Sequence, residues 1–200
     1  MDDLLANYEQ YPNTWDEMFD DSGKVRTIYS HFGKFLSEAK LDSLNQMKEF
    51  SNQFFKNQGV TFTVYHDNKG VERIFPFDII PRIINSNEWE IIEKGIIQRI
   101  TALNLFLKDV YHEKFIIKDE VIPASLLINN HCYLRQMMRL EVPKNIYTHI
   151  SGVDLIRDKN GELFVLEDNL RTPSGVSYML ENREITRRLY PNLMPKYKVQ

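Results

Sequence analysis

The chain of 200 residues carries 25 Lys and Arg against 28 Asp and Glu, a formal net charge of −3, and 42% of its residues are hydrophobic. This is the composition of a globular protein able to build a core, and the near-neutral charge argues against a protein that coats nucleic acid. No apolar run approaches the roughly 20 residues that span a bilayer, no leader-like stretch opens the sequence, and the single cysteine suits a reducing compartment, so we expect a cytoplasmic protein without membrane or nucleic-acid partners.

The N-terminal part is acidic and then helical. Residues 1–23 contain seven acidic side chains, four aromatic residues and no lysine or arginine. Such a segment is either an interaction arm or, as we favour, a stretch that packs its rings on the core and leaves its acids in solvent. Residues 24–56 then repeat apolar side chains at helical spacing, which predicts two helices, and Gly59 is a suitable stop for the second.

A β-hairpin is predicted next. Residues 61–66 (TFTVYH) are β-branched and aromatic, residues 67–70 (DNKG) are a turn signal, and a return strand follows at 71–77. Residues 76–82 have a proline near each end and are expected to be extended and irregular. Arg82 in this loop either binds an anion or is solvated or ion-paired, and the loop alone favours the second interpretation.

The clearest helical pattern covers residues 88–112, with Asn87 as a start signal. Beside its apolar stripe lie three polar side chains, Gln98, Arg99 and Asn104. They either line a polar cleft, where buried polar groups must find partners, or simply face solvent. Residues 115–142 mix short apolar runs with turn formers, and we expect short strands and helices of an α/β layer there.

A second hairpin is predicted near the C-terminal end. Residues 146–157 are expected to form one strand, residues 158–161 (DKNG) the turn, and residues 162–169 the return strand.

Two carboxylates and a carboxamide converge at one end of this hairpin. Counting from the turn places Glu167 diagonally across from Asp154 on one face, and Asn169 leaves the same face because strand side chains alternate. Oxygen ligands without His or Cys suit Mg²⁺ or Mn²⁺ held together with substrate phosphates. A solvated acid pair, or a simple turn at EDN, would give the same pattern, so spacing alone leaves the metal site open. Asp168 faces the other way and is expected to be solvated or hydrogen-bonded to the following loop.

The next residues favour an anion site. Arg171 offers a cationic fork for phosphate, and the turn at 172–175 lets the backbone around Ser174 and Gly175 approach a ligand. A helix is predicted to begin near Val176, and its N-terminal amides attract anions. Together these features suggest a polyphosphate site.

Residues 152–157 (GVDLIR) and 165–175 (VLEDNLRTPSG) resemble the metal-binding end of ATP-grasp ligases. Those enzymes carry an Asp on one strand and Glu-x-Asn on the next, and these groups hold Mg²⁺ ions that bridge the ATP phosphates. The resemblance therefore implies three metal ligands, Asp154, Glu167 and Asn169. It also implies that Arg171 is catalytic, near the phosphates or the acyl phosphate, and that ATP is bound by Arg171, Ser174 and Gly175.

Four further segments narrow the resemblance to the circularly permuted ATP-grasp family, whose members are often described as similar to glutathionylspermidine synthase. They are residues 75–82 (FPFDIIPR), 88–89 (EW), 98–107 (QRITALNLFL) and 173–183 (PSGVSYMLENR). Three arginines in these segments become candidate substrate contacts: Arg82, Arg99 and Arg183. Because the family places its ATP-gripping lysines after the metal end, we expect the remainder of the ATP-grasp domain beyond residue 200.

The expected fold is mixed α/β, an incomplete ATP-grasp-like domain of antiparallel hairpins packed with helices. Residues 1–58 are expected to form the acidic arm and a helical segment, and residues 59–200 the metal-bearing part of the permuted domain. The implied activity is ATP-dependent ligation of a small-molecule or peptide carboxylate to an amine through an acyl phosphate, with ATP and Mg²⁺ or Mn²⁺ as cofactors. The alternative is a non-catalytic binding domain of the same fold. A phosphodiesterase or nuclease ranks third, because residues 150–200 contain no histidine to activate water.

Overall fold

A computed structural model describes residues 4–5, 8–66 and 69–197, with side chains described outside 62–72. The chain divides into two compact units. The first comprises residues 1–85, 155–164 and 174–200, and the second comprises residues 86–154 and 165–173. Helices and two small two-stranded sheets make the fold mixed α/β, as predicted. The tip of the first hairpin at 67–68 and the first three residues of the acidic segment lie outside the described residues.

The first unit begins with the two predicted helices. A short 3₁₀ turn leads into α1 (Ser30–Glu38), and α2 (Leu41–Gln58) follows. Gly59 ends α2 with φ at 69°, and its N–H bonds to the carbonyls of Lys56 and Phe55. This left-handed cap is the geometry that glycine adopts at the least cost, so the predicted stop is confirmed.

Two apolar clusters form the core of this unit. The first contains Tyr29, Phe32, Leu36, Tyr190 and Leu193, and the second contains Phe54, Phe55, Phe77 and Ile185. The residues from 185 to 193 come from helix α6 (Gly175–Leu189) and the turn after it. The helix α6 therefore supplies Ile185 to the second cluster, and the turn after it supplies Tyr190 and Leu193 to the first.

The first hairpin consists of β1 (Thr61–His66) and β2 (Lys69–Ile74), paired antiparallel from Thr61 with Ile74 to His66 with Lys69. The return strand begins two residues earlier and ends three residues earlier than predicted. Phe77 explains the earlier end, because its ring packs against that of Phe55 in the core and draws the chain away from the ladder.

The acidic segment attaches to the first unit through its aromatic residues. Trp15 and Phe19 are half-buried, and the Phe19 ring stacks on Tyr8 with centroids 5.1 Å apart. Tyr11 remains 79% exposed. Two of its four rings thus lie on the protein, as we favoured, but Asp16 and Glu17 are only half exposed and bind the protein instead of facing solvent.

The second unit is built on the long helix α3 (Ser86–Tyr111), which begins one residue before the predicted cap at Asn87. Two single-turn helices follow, α4 (Phe115–Lys118) and α5 (Ser125–Ile128). The strands expected within 115–142 are wrong. The backbone there closes local bonds, such as Asp119 N–H to the Phe115 carbonyl, so its donors and acceptors are satisfied within single turns.

The second hairpin consists of β3 (Gly152–Arg157) and β4 (Leu163–Asn169). Its turn is the predicted one: the Asp158 carboxylate accepts the backbone N–H groups of Asn160 and Glu162, and Gly161 has φ of 84°. The first strand starts at Gly152, six residues later than predicted. The backbone N–H groups of Tyr147 and Thr148 instead donate hydrogen bonds to the Asn104 side chain on α3. None of the helices within the described residues is both long and apolar enough to cross a membrane.

Candidate metal and phosphate site

Gly152 lies at the end of the second hairpin that is opposite the turn, and the chain packs closely around it. A Cβ on Gly152 would lie 3.1 Å from Cβ of Pro173 and 3.5 Å from Cβ of Asn169. The first distance is tighter than most Cβ contacts and the second is ordinary van der Waals contact, so the start of β3 lies directly against the end of β4 and the loop that follows. A larger residue at 152 would push the two strand ends apart.

This approach places the start of β3, which carries Asp154, beside the end of β4, which carries Glu167 and Asn169. Gly152 and Asp154 share a face of β3, and Glu167 and Asn169 share a face of β4, because side chains alternate along a strand. This contact joins position 152 of the first pair to position 169 of the second. The side chains of all three predicted ligands, Asp154, Glu167 and Asn169, are exposed. The Asn169 Nδ2 donates a hydrogen bond of 3.1 Å to Glu167 Oε1.

The chemistry of these groups fits a hard cation. Two carboxylates and one carboxamide supply only oxygen ligands, which Mg²⁺ and Mn²⁺ prefer. Binding would require the Asn169 carboxamide to turn, since its nitrogen rather than its oxygen now faces Glu167. No group of three or more His, Cys, Asp or Glu side chains placed to hold a metal occurs among the described residues. A cation here would therefore need additional ligands from a substrate.

Asp168 faces the other side of β4 and binds Arg99 of α3. Arg99 Nε donates to both carboxylate oxygens, at 2.8 and 3.0 Å, and its Nη2 donates to Oδ2 at 2.6 Å. The guanidinium lowers the pKa of Asp168, and the carboxylate raises the pKa of Arg99. Asp168 is therefore hydrogen-bonded, but its partner is the Arg99 side chain on α3 and not the loop that follows β4. Two guanidinium nitrogens of Arg99, Nε and Nη2, thus donate to Asp168.

Arg171 is exposed, and within the described part of the chain it makes no ion pair. It lies two residues after Asn169, the last residue of β4, and belongs to the second unit.

Ser174 and Gly175 belong to the first unit, where they open α6. Both are exposed, and a Cβ on Gly175 would have no atom within 4 Å. The helix start predicted near Val176 is observed one residue earlier, and the backbone at this end is open to a ligand.

The two remaining arginines have different surroundings in the first unit. Arg82 Nε lies 3.3 Å from Glu17 Oε1, which also accepts a 3.0 Å hydrogen bond from Arg157 Nε. This matches the ion-paired interpretation of Arg82. Arg183 is exposed on α6 and has no ion pair in the described chain. The structure does not gather Arg82, Arg99 and Arg183 within one unit.

Asn104 turns out to support the hairpin from α3. Its Oδ1 accepts the backbone N–H groups of Tyr147 and Thr148, at 2.8 and 3.2 Å, and its Nδ2 donates to Thr148 Oγ1 at 3.1 Å. These bonds hold the segment that enters β3. The sequence marked Asn104 only as a polar group of uncertain orientation, and no local signal identifies its partners more than 40 residues away.

Comparison with known proteins supports the family resemblance seen in the sequence. The family model described as "Circularly permuted ATP-grasp type 2" matches residues 81–200. An uncharacterised protein of Synechocystis sp. is 42% identical over 188 residues, which cover 94% of this chain and 39% of that protein. An uncharacterised protein of Mycobacterium leprae is 40% identical, over 95% of this chain and 33% of that protein. A Frankia alni protein named "Putative glutamate--cysteine ligase 2-3" is 35% identical, over 96% of this chain and 22% of that protein. The chain thus spans less than half the length of these relatives.

Proposed function

The chain belongs to the circularly permuted ATP-grasp family, type 2, and on that premise we propose that it contributes the metal and ATP-phosphate site of an ATP-dependent carboxylate–amine ligase. The glutamate–cysteine ligase name of the Frankia alni relative supports a ligase. We assign the metal-bearing part to residues 59–200.

One observation carries the assignment of the site. Gly152 packs against Asn169, which brings the start of β3 beside the end of β4, and the side chains of Asp154, Glu167 and Asn169 near these ends are all exposed. In the proposal these three residues hold Mg²⁺ or Mn²⁺, and ATP phosphates complete its coordination. When bound, the cation neutralises phosphate charge, which is the main requirement for phosphoryl transfer.

The other residues act on the anion directly. Arg171 follows the metal ligands and presents a planar cationic group suited to phosphate or an acyl phosphate. Ser174 and Gly175 offer backbone N–H groups at the start of α6, where the helix dipole favours negative charge. Arg82, Arg99 and Arg183 remain proposed substrate contacts, and for Arg99 this requires the nitrogen that Asp168 does not use.

The proposed reaction has two steps. A substrate carboxylate oxygen attacks the γ-phosphorus of ATP, and the bond from that phosphorus to the β,γ-bridging oxygen breaks, which gives an acyl phosphate and ADP. An amine nitrogen then attacks the acyl carbon, the C–O bond to phosphate breaks, and the products are an amide, inorganic phosphate and one proton. The protein's task in both steps is to hold the groups in line and balance their charge.

Calorimetric titration of the chain with ATP, with and without Mg²⁺, tests the site. We expect binding only with Mg²⁺, and Glu167→Gln should weaken it at least tenfold, since an interaction with a charged group contributes roughly 1.5–3 kcal/mol. Glu162→Gln is the matched control, because Glu162 is equally exposed on the same hairpin but lies at its turn. Equal affinities for the two variants would refute the role of Glu167. Absence of any Mg²⁺-dependent heat would favour the non-catalytic binding domain.

A further inference from the structure

Asp168 lies between the two proposed metal ligands of β4 and points away from them. Side chains alternate along a strand, so Glu167 and Asn169 leave one face and Asp168 leaves the other. The exposures follow this alternation, because Glu167 and Asn169 are exposed, whereas the side chain of Asp168 is only 15% exposed. The carboxylate of Asp168 thus lies on the face opposite the proposed cation, and the proposed reaction gives it no direct contact.

The partner of Asp168 is a side chain on the long helix α3. Arg99 Nε donates to both carboxylate oxygens, at 2.8 and 3.0 Å, and Nη2 donates to Oδ2 at 2.6 Å. Two guanidinium nitrogens on one carboxylate fix the direction of approach as well as the distance. Arg99 and Asp168 belong to the second unit, together with Glu167 and Asn169. The contact therefore ties β4 to a helix of 26 residues within one unit.

The end of β4 needs support from outside the hairpin. The strands β3 and β4 form a sheet of two strands, and such a hairpin is only marginally stable by itself. Asp168 is the last residue but one of β4, at the end opposite the turn. A shift of one residue in strand pairing exchanges the two faces of a strand. An ion pair that holds Asp168 on the α3 side therefore also determines the side on which Glu167 and Asn169 emerge.

The same helix holds the segment that enters the other strand. The Asn104 side chain of α3 accepts the backbone N–H groups of Tyr147 and Thr148, shortly before β3 begins at Gly152. The helix α3 thus contacts the chain that leads into β3 and, through Arg99, the end of β4. Two contacts from one helix fix the two strand ends that carry the proposed ligands.

We propose that Asp168 is a positioning residue of the metal site: held by Arg99, it ties the end of β4 to α3 and directs Glu167 and Asn169 to the opposite, exposed face. The role of Asp168 at a cation rests on the proposed function, because Glu167 and Asn169 are proposed to bind the metal there. The effect of Asp168 on its two neighbours is open to measurement without ATP or metal.

The first measurement uses the ¹⁵N-labelled chain without ATP or metal. The side-chain amide of Asn169, which donates a 3.1 Å hydrogen bond to Glu167 Oε1, reports the arrangement of the two ligands. We expect Asp168→Ala to move this signal toward its random-coil position, and Asp168→Glu, which keeps a carboxylate for Arg99, to restore it. Glu90→Ala is the matched control, because it removes another exposed ion pair of α3. An Asn169 signal that is the same in wild type and Asp168→Ala would overturn the inference.

The second measurement is the affinity for Mn²⁺–ATP, by calorimetry below the thermal midpoint of every variant. Replacing a group that orients metal ligands typically changes metal affinity about 10–100-fold. Because this support acts through the strand backbone, we expect Asp168→Ala to weaken binding at least fivefold and Asp168→Glu to stay within about twofold of wild type. A merely structural role would lower the thermal midpoint and leave the affinity unchanged, which would overturn the inference. If the alanine variant does not fold, Asp168→Asn, which keeps the size of the side chain, should weaken binding at least twofold.

Arg99→Leu, alone and combined with Asp168→Ala, identifies the partner. Because the two residues act through one contact, the double variant should bind Mn²⁺–ATP as weakly as Asp168→Ala and no more weakly. Two effects that multiply would overturn the role of Arg99 as the support. A wild type that binds no Mn²⁺–ATP would instead overturn the proposed function, and the Asn169 signal would still decide whether Asp168 orients its neighbours.

Discussion

Replacing Gly161 with Ala should destabilise the protein far more than a glycine replacement in an ordinary turn. Gly161 has φ of 84°, where an L-residue costs about 1 kcal/mol or slightly more. A Cβ there would lie 2.6 Å from Cζ3 and 2.8 Å from Cε3 of Trp15, so the ring must move. That ring has the Arg26 guanidinium 3.8 Å from its centroid, which obstructs its retreat. Overpacking of this kind costs about 1–3 kcal/mol, which gives a total near 2–4 kcal/mol.

A matched change at Gly23 separates the backbone cost of Gly161→Ala from the cost of its contact with Trp15. Gly23 has a similar φ of 76°, and a Cβ there would have no atom within 4 Å, so Gly23→Ala carries the backbone cost alone. In a protein of this size 1 kcal/mol corresponds to roughly 2–4 °C in the thermal midpoint. We therefore expect Gly161→Ala to lower the midpoint by about 5–15 °C and Gly23→Ala by about 2–4 °C, measured by circular dichroism and by urea unfolding.

A double variant identifies the cause. Trp15→Leu combined with Gly161→Ala should cost about 1–3 kcal/mol less than the sum of the two single changes, because the shortened side chain leaves room for the methyl group. The reasoning is refuted if Gly161→Ala costs no more than Gly23→Ala, or if the two changes at 15 and 161 simply add.

Two further predictions concern the second unit. Asp168→Asn removes the ion pair with Arg99. Because the pKa of Asp168 is lowered in the folded state, the ion pair stabilises the protein above the usual aspartate pKa near 3.8. This stabilisation is lost as the pH falls through the lowered pKa. Urea unfolding should thus show a difference between wild type and variant that is fully present at pH 7 and becomes smaller as the pH falls below about 3.8, and a difference of the same size at pH 7 and pH 2.5 would contradict the assignment. Asn104→Ala leaves two backbone N–H groups without their acceptor and should cost about 2–4 kcal/mol in urea unfolding. The exposed Gln98→Ala on the same helix should change stability by less than about 0.5 kcal/mol, and equal effects would show that Asn104 does not hold the segment before β3.

Short-range features were predictable because their causes are local. Gly59 ends α2 and Gly161 closes the second hairpin since each occupies a left-handed position next to a clear periodic pattern. Alternation along β4 likewise predicted that Glu167 and Asn169 share a face, and the 3.1 Å hydrogen bond between them is consistent with that. The segment 115–142 was harder, because apolar runs of three or four residues suit a strand and a single helical turn equally well.

The sequence by itself therefore determined the longer helices, the two hairpins and, through the match over residues 81–200, the family. Only the tertiary structure decided which polar groups find partners. Arg99 binds Asp168 across 69 positions of sequence, while Asn182 keeps a buried oxygen unpaired. The physical reason is that turns and periodic elements are governed by neighbouring residues, whereas the satisfaction of a side chain depends on which distant atoms packing brings within about 3 Å.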